Sequence, residues 1–238
     1  MPVELKGKAA IITGASRGIG RSTALALGSE GMRLALVSRD VDSLQSVAAE
    51  VEAAGGLAVV AGYDFQNSDG IPELVDKLAS SLGQVDCLVN NAGTFLERDF
   101  ADMTDDEVRH VHQVNLVSPF AMTRELLPHL RQSKGRIINV ASTSALQGYA
   151  QQSAYCASKA GLLGMMRALT IEEKPNGVRI HNLCPGGVDT DFINDTNLGQ
   201  RLAGQVMISP DDIGEMVAFL LKQPGNIDIS EMVIRRFT

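Results

Sequence analysis

Short apolar runs rich in Val, Ile, Leu and Ala recur along the chain at 9–13, 34–38, 57–61, 87–90, 136–141, 178–183 and 229–234. They do not alternate apolar with polar residues as a strand with one wet face would, so they read as strands buried on both faces. Between them, segments 19–30, 42–54, 70–82, 104–130, 153–173 and 211–222 carry apolar residues at helical spacing. Strand followed by helix, repeated, requires crossover connections, which means a parallel sheet with helices on both faces. Local signals mark the boundaries. Asp42 and Ser209 suit helix N-termini, Gly55, Gly56 and Gly83 suit helix ends, and Pro175-Asn176-Gly177 suits a turn. Pro119 and Pro128 are expected to divide or kink the 104–130 stretch. With no linker and no internal repeat beyond this alternation, residues 1–238 are expected to form a single domain.

Composition narrows the function classes. Hydrophobic residues make up 45% and charged residues 21%, as in an ordinary soluble globular chain. A net charge of -7 argues against a nucleic-acid surface or attraction to anionic lipid, so any anionic ligand must meet local positive charge. No signal-peptide core and no apolar run of spanning length is present, which predicts a cytoplasmic protein without membrane association. Cys87, Cys156 and Cys184 are odd in number and form no CxxC pair, and His110, His112, His129 and His181 have no ligand spacing. Neither a disulfide framework nor a metal site is expected.

Two clusters carry candidate chemistry. Directly after the first strand comes Thr13-Gly14-Ala15-Ser16-Arg17-Gly18-Ile19-Gly20, opening the first helix. Glycines there allow close backbone approach to a phosphate, whose charge the helix N-terminus favours. The spacing is Gly-x-x-x-Gly-x-Gly rather than the commoner G-x-G-x-x-G. Farther along, Tyr155 and Lys159 are four apart at the head of a helix, with Ser142 upstream at a strand end. One face of that helix would carry both the phenol and the ammonium, and a neighbouring cation lowers the cost of ionising a phenol. The pair therefore suits proton transfer, with Ser142 as a hydrogen-bonding partner for the reacting oxygen.

These motifs, taken in order, resemble those of the short-chain dehydrogenase/reductase family over nearly the full chain. The glycine motif is Thr13 to Gly20, Asn90-Asn91-Ala92-Gly93 matches the Asn-Asn-Ala-Gly motif, and Tyr155 to Lys159 matches Tyr-x-x-x-Lys. Asn115, Ser142, Pro185-Gly186, Val188 and Thr190 fall at the expected places. The resemblance implies a doubly wound Rossmann fold, a seven-stranded parallel sheet of order 3-2-1-4-5-6-7, with a nicotinamide dinucleotide over the strands' carboxyl ends. It also implies a catalytic set of Asn115, Ser142, Tyr155 and Lys159. Lys159 would hold the nicotinamide ribose, and Asn115 would kink its helix and anchor a water chain.

By the same resemblance the cofactor contacts are Gly14, Ser16, Arg17, Gly18, Ile19, Gly20, Asp64, Phe65, Asn91, Ala92, Gly93, Tyr155, Lys159, Pro185, Gly186, Val188 and Thr190. Charge speaks to which dinucleotide binds. Ser38-Arg39 stands where an acidic residue would favour NAD, and Arg17 adds a second guanidinium, so NADP(H) is favoured over NAD(H), with Asp40 as a nearby opposing carboxylate. Segment 188–207 corresponds to a substrate lid, and Gln147, Tyr149 and Phe192 join Ser142 and Tyr155 as expected substrate contacts. A carbonyl compound and a secondary alcohol are the expected reactants, with a lean towards small hydroxy acids and ketones because the tail 226–238 is similar to that of a family branch acting on 3-hydroxy acids and related small alcohols. The alternatives are a 3-oxoacyl thioester reductase and a non-catalytic dinucleotide sensor. A homodimer or homotetramer, formed through the long helices, is the expected assembly.

Overall fold

Which apolar run lies at the sheet centre and which at its margin is settled by strand pairing. In the computed structural model, which describes residues 2–194 and 196–237, strands β1 (Ala9–Thr13), β2 (Arg33–Ser38), β3 (Leu57–Gly62), β4 (Cys87–Asn90), β5 (Arg136–Val140), β6 (Arg179–Pro185) and β7 (Glu231–Ile234) form one parallel sheet. Their order is β3-β2-β1-β4-β5-β6-β7, as the resemblance implies. Every residue of β1, β4 and β5 is buried. The expectation that 57–61 is buried fails at the margin, because β3 has a neighbour on one side only. Leu57 is 62% and Val59 39% exposed there.

Helices cover both faces. Helices α1 (Gly18–Ser29), α2 (Val41–Ala53) and α9 (Pro210–Lys222) pack Leu27, Leu44 and Val217 on one side. On the other, α3 (Ile71–Leu82), α5 (Ser118–Ser133) and α6 (Ser153–Glu173) contribute Leu78, Leu126 and Met166. The short helices α7 (Asp191–Asn194) and α8 (Asn197–Leu202) lie in the expected lid segment, of which Asp195 is outside the described residues. Ser209 caps α9 as expected, while the cap of α2 is Asp40 rather than Asp42.

The long 104–130 stretch divides, but not mainly at its prolines. Thr104 and Glu107 close a reciprocal capping box on α4 (Asp105–His112), and π-helical backbone over Gln113–Val117 separates it from α5. Pro119 sits in the first turn of α5, where no amide is needed, and Pro128 lies inside α5 without ending it. Among the described residues no helix is long and apolar enough to cross a membrane. The chain direction reverses its progress across the sheet between β1 and β4, which opens a crevice at the carboxyl ends of these strands.

Candidate active site

That crevice is held open by a polar hub. The Thr13 hydroxyl donates to the Val89 carbonyl at 3.2 Å and accepts from the amides of Asn91 and Ala92, each at 3.0 Å. Asn91 returns the link, its Nδ2 donating to the carbonyls of Thr13 at 2.9 Å and Gly14 at 3.0 Å. The loops after β1 and β4 are thereby tied together at close range. Gly14, with φ of 66°, leaves no space for a side chain, since a Cβ would stand 2.9 Å from the Ala92 Cα.

A cavity of about 1030 Å³ runs from this loop to the head of α6. At one end lie Gly14, Ser16, Arg17, Gly18, Ile19, Ser38, Arg39, Asp64 and Phe65, then Asn91, Ala92 and Gly93. At the other lie Ser142, Gln147, Tyr149, Tyr155, Lys159, Pro185, Gly186, Val188, Thr190 and Phe192. Backbone amides at the start of α1, bare glycines and two arginines make the first end a fitting cradle for the phosphates of a dinucleotide. Asp40 also lines this end, near Arg17, but its carboxylate is engaged by its own helix. It caps α2, accepting from the Ser43 amide at 3.0 Å and the Ser43 hydroxyl at 2.6 Å, bonds that hold it below the usual carboxylate range.

Two expected site residues do not line the cavity. Gly20 is walled off, since a Cβ there would fall 2.2 Å from the Gly14 carbonyl oxygen, so its role is to let α1 approach its own loop. Asn115 is fully buried in the π-helical turn. Its amide donates to the Thr94 carbonyl at 2.9 Å and the Ser158 hydroxyl at 3.1 Å, and its Oδ1 accepts from the Thr94 amide at 2.8 Å. Asn115 therefore clamps the loop after β4 to α6 and sets the distance between the two halves of the site.

At the other end, Ser142 follows β5 in extended backbone and accepts from the Ser144 amide at 3.0 Å, which fixes its rotamer. Its hydroxyl also hydrogen-bonds the Tyr155 phenol, which favours ionisation, but burial dominates and pushes the phenol up to about 12. The expected lowering of the phenol by Lys159 is not what the geometry gives. The Lys159 ammonium donates to the Val140 carbonyl at 2.9 Å and stands 5.9 Å from the Tyr155 ring centre, and burial brings Lys159 itself down to about 8. Gln147 Nε2 donates to the Tyr149 hydroxyl at 2.7 Å, which reaches the Thr143 hydroxyl at 3.2 Å.

Several further residues build the site. Phe95 packs edge-on to Tyr155 with ring centres 5.0 Å apart, and Phe192 completes the aromatic group at 6.1 Å from Phe95. An aromatic one residue past Asn-Asn-Ala-Gly and Thr94 was the available signal. Glu97, its side chain 3% exposed, accepts from the Leu198 amide at 2.8 Å and pairs with Arg201, fastening α8 over the cavity. Arg235 and Arg236 of the tail also line it.

Comparison with known proteins places this geometry in company. Residues 8–201 match the profile described as short chain dehydrogenase. An uncharacterized oxidoreductase of Staphylococcus saprophyticus is 34% identical over 98% of this chain and 99% of its own. A ketoacyl reductase of Nostoc sp. is 36% identical over 92% of this chain and 76% of its own. Among solved structures, a metagenomic short-chain oxidoreductase in complex with NADP is 35% identical, with a TM-score of 0.86 over 99% of this chain and 100% of that one.

Proposed function

The chain belongs to the short-chain dehydrogenase family and is an oxidoreductase, and on that premise we propose that it reduces a small carbonyl compound to a secondary alcohol with NADPH, Tyr155 supplying the proton. What carries the proposal is the meeting of the phosphate cradle and the Ser142, Tyr155 and Lys159 group in one continuous cavity. When bound, the dihydronicotinamide supplies the hydride. The loop Gly14 to Ile19 would hold its pyrophosphate, and Arg17, Ser38 and Arg39 its 2′-phosphate. Asp64 and Phe65 would adjoin the adenine, Asn91 to Gly93 the middle of the cofactor, and Pro185 to Thr190 the nicotinamide end, with Lys159 at the ribose.

The protein's own groups then manage the substrate oxygen. A phenol held up at about 12 is fully protonated at neutral pH, so Tyr155 presents a proton rather than a negative charge to the carbonyl. It is still a stronger acid than the alcohol being formed, so transfer to the developing alkoxide runs downhill. Ser142, its rotamer fixed by the Ser144 amide, can bond the same oxygen and orient the carbonyl. Phe95 and Phe192 shield that locus from water, and Glu97 keeps α8 of the 188–207 lid closed over it.

A 3-oxoacyl thioester reductase is the second reading, favoured by likeness to the Nostoc ketoacyl reductase. Docking of an acyl carrier protein finds little support, because Arg131 is spent on a two-pronged pair with the buried Glu173 and Arg124 pairs with Glu125. A dimer or tetramer through α5 and α6 is in keeping with the exposed apolar Phe120 and Ile171 on them.

The test is loss of NADPH absorbance against ketones, aldehydes, 3-oxo acids and 3-oxoacyl thioesters, with NADH in parallel. Tyr155→Phe is expected to lower kcat by about 10²- to 10⁴-fold while NADPH still binds in a fluorescence titration. Substantial turnover in that variant would exclude Tyr155 as the proton donor.

A further inference from the structure

Two arginines at the end of the chain enter the cavity, and the proposed chemistry uses neither. Arg235 and Arg236 directly follow β7. The Gly186 amide donates to the Ile234 carbonyl at 2.8 Å, drawing the tail alongside the loop after β6. A Cβ at Gly186 would stand 3.9 Å from the Thr143 methyl and 3.9 Å from the Arg235 Cα, so the tail adjoins the Ser142 and Thr143 wall. A Cβ at Gly187 would meet the Met207 methyl at 2.8 Å and lie 3.7 Å from Arg236 Nε. Glycine there leaves a passage for the half-buried guanidinium.

Arg236 Nη1 donates to Gln205 Oε1 at 2.6 Å and touches the Met207 sulfur at 3.6 Å, beneath the end of the 188–207 segment. Arg235 is more exposed and also borders a second cleft that contains Asp212, Glu215 and Lys222. Among the described residues neither guanidinium has a carboxylate within 4.0 Å. Asp191 lines the same cavity, as do the apolar Phe95, Phe192, Leu198 and Leu202. Two adjacent guanidiniums bordering a partly apolar space, in a chain of net charge -7, make this end of the cavity a local positive patch that attracts an anion. A guanidinium fork matches a carboxylate or phosphate oxygen pair.

We propose that Arg236, flanked by Arg235, is an anion subsite, and that the carbonyl substrate carries a negative group held away from the reacting carbon. This rests on the reductase reading and specifies its substrate class. The anion could be the carboxylate of a 3-oxo acid or a phosphate of a coenzyme A thioester, and the assay separates them.

The experiment compares kcat/KM with NADPH for acetoacetate, its neutral methyl ester and acetoacetyl-coenzyme A. The wild type is expected to favour an anionic substrate over the ester, and Arg236→Gln to lower that ratio about tenfold or more, mainly through KM. Loss confined to acetoacetate identifies a carboxylate site, and loss confined to the thioester a phosphate site. Gln205→Ala, which breaks the contact to the lid but keeps the guanidinium, should retain the ratio. Calorimetric titration of the NADP+-loaded protein, which cannot reduce the carbonyl, with whichever anionic compound it prefers reads the subsite apart from turnover, and weaker binding is expected in Arg236→Gln. Preference for the ester in the wild type, or an unchanged ratio in Arg236→Gln, would overturn the subsite. Failure to consume NADPH with any charged or neutral carbonyl would instead sink the reductase reading.

Discussion

At Tyr155 two influences oppose each other: the Ser142 hydrogen bond favours the anion and burial disfavours it, with burial the larger. Lys159 is pushed the other way by the same burial, down to about 8, so its positive charge is present below that pH and lost above it. Carbonyl reduction should therefore hold steady through neutral pH and decline as pH rises through about 8, with Tyr155 protonated throughout. A kcat/KM profile for the carbonyl substrate checks this, and an unbroken plateau to about pH 10 would remove the Lys159 charge from the rate. At the far end of the cavity Arg39 can be tested separately, since Ser43 holds the Asp40 carboxylate. Arg39→Asp should lower kcat/KM with NADPH by about 10- to 100-fold and change that with NADH far less. An unaltered cofactor ratio would refute the phosphate clamp.

Helices and loops show what hydrophobic pattern can convey and what it cannot. Helix α6 spans the predicted 153–173 because one uninterrupted segment packs along its length. In the 104–130 stretch the prolines alone misplace the division, because the turn that makes it depends on tertiary partners: Asn115 bonds Thr94 and Ser158, which are 21 and 43 residues away. Edge exposure of β3 is equally invisible locally, since its apolar composition matches that of central strands. The glycine loop and the Tyr155 and Lys159 pair stand out in the sequence because each lies within one short stretch, whereas Asn115 and Ser142, on other elements, are tied to them by the family resemblance. Arg236 and Glu97 do not stand out, because each acquires its place only when the tail pairs beside β6 or α8 folds over the cavity, and Phe95 gains its role only against the distant Tyr155 ring. Glu97 gives the element-level test of the lid. Glu97→Ala removes both of its grips on α8 and should raise KM for the carbonyl substrate by roughly fivefold or more, with a smaller effect on NADPH affinity. Equal losses for both ligands would indicate general disruption rather than loosening of α8.

Across the whole molecule, stability should carry a pH dependence seated far from the chemistry. His181 lies within β6 at 1% exposure, where its Nδ1 donates to the Ile229 carbonyl at 2.7 Å and its Nε2 has no hydrogen-bond partner among the described residues. Burial first, and then repulsion from Arg136 and Arg179, outweigh the Ile229 bond and the distant Asp228 charge and bring it down to about 4. Arg136 cannot withdraw easily, since its guanidinium is buried on the carbonyls of Leu220 and Gln223 between the sheet and α9. In the unfolded chain the imidazole would take its proton near its ordinary 6.5, so between there and about 4 the unfolded state binds the extra proton. The stabilisation is complete above that window and is lost as pH falls through it, by roughly 3 kcal/mol at the lower end. Urea unfolding at about pH 7.5 and pH 5 should show a decline in the wild type that is much reduced in His181→Gln, which keeps a neutral donor for Ile229 but cannot titrate. If both proteins lost stability equally between these pH values, the acid sensitivity would belong to other groups.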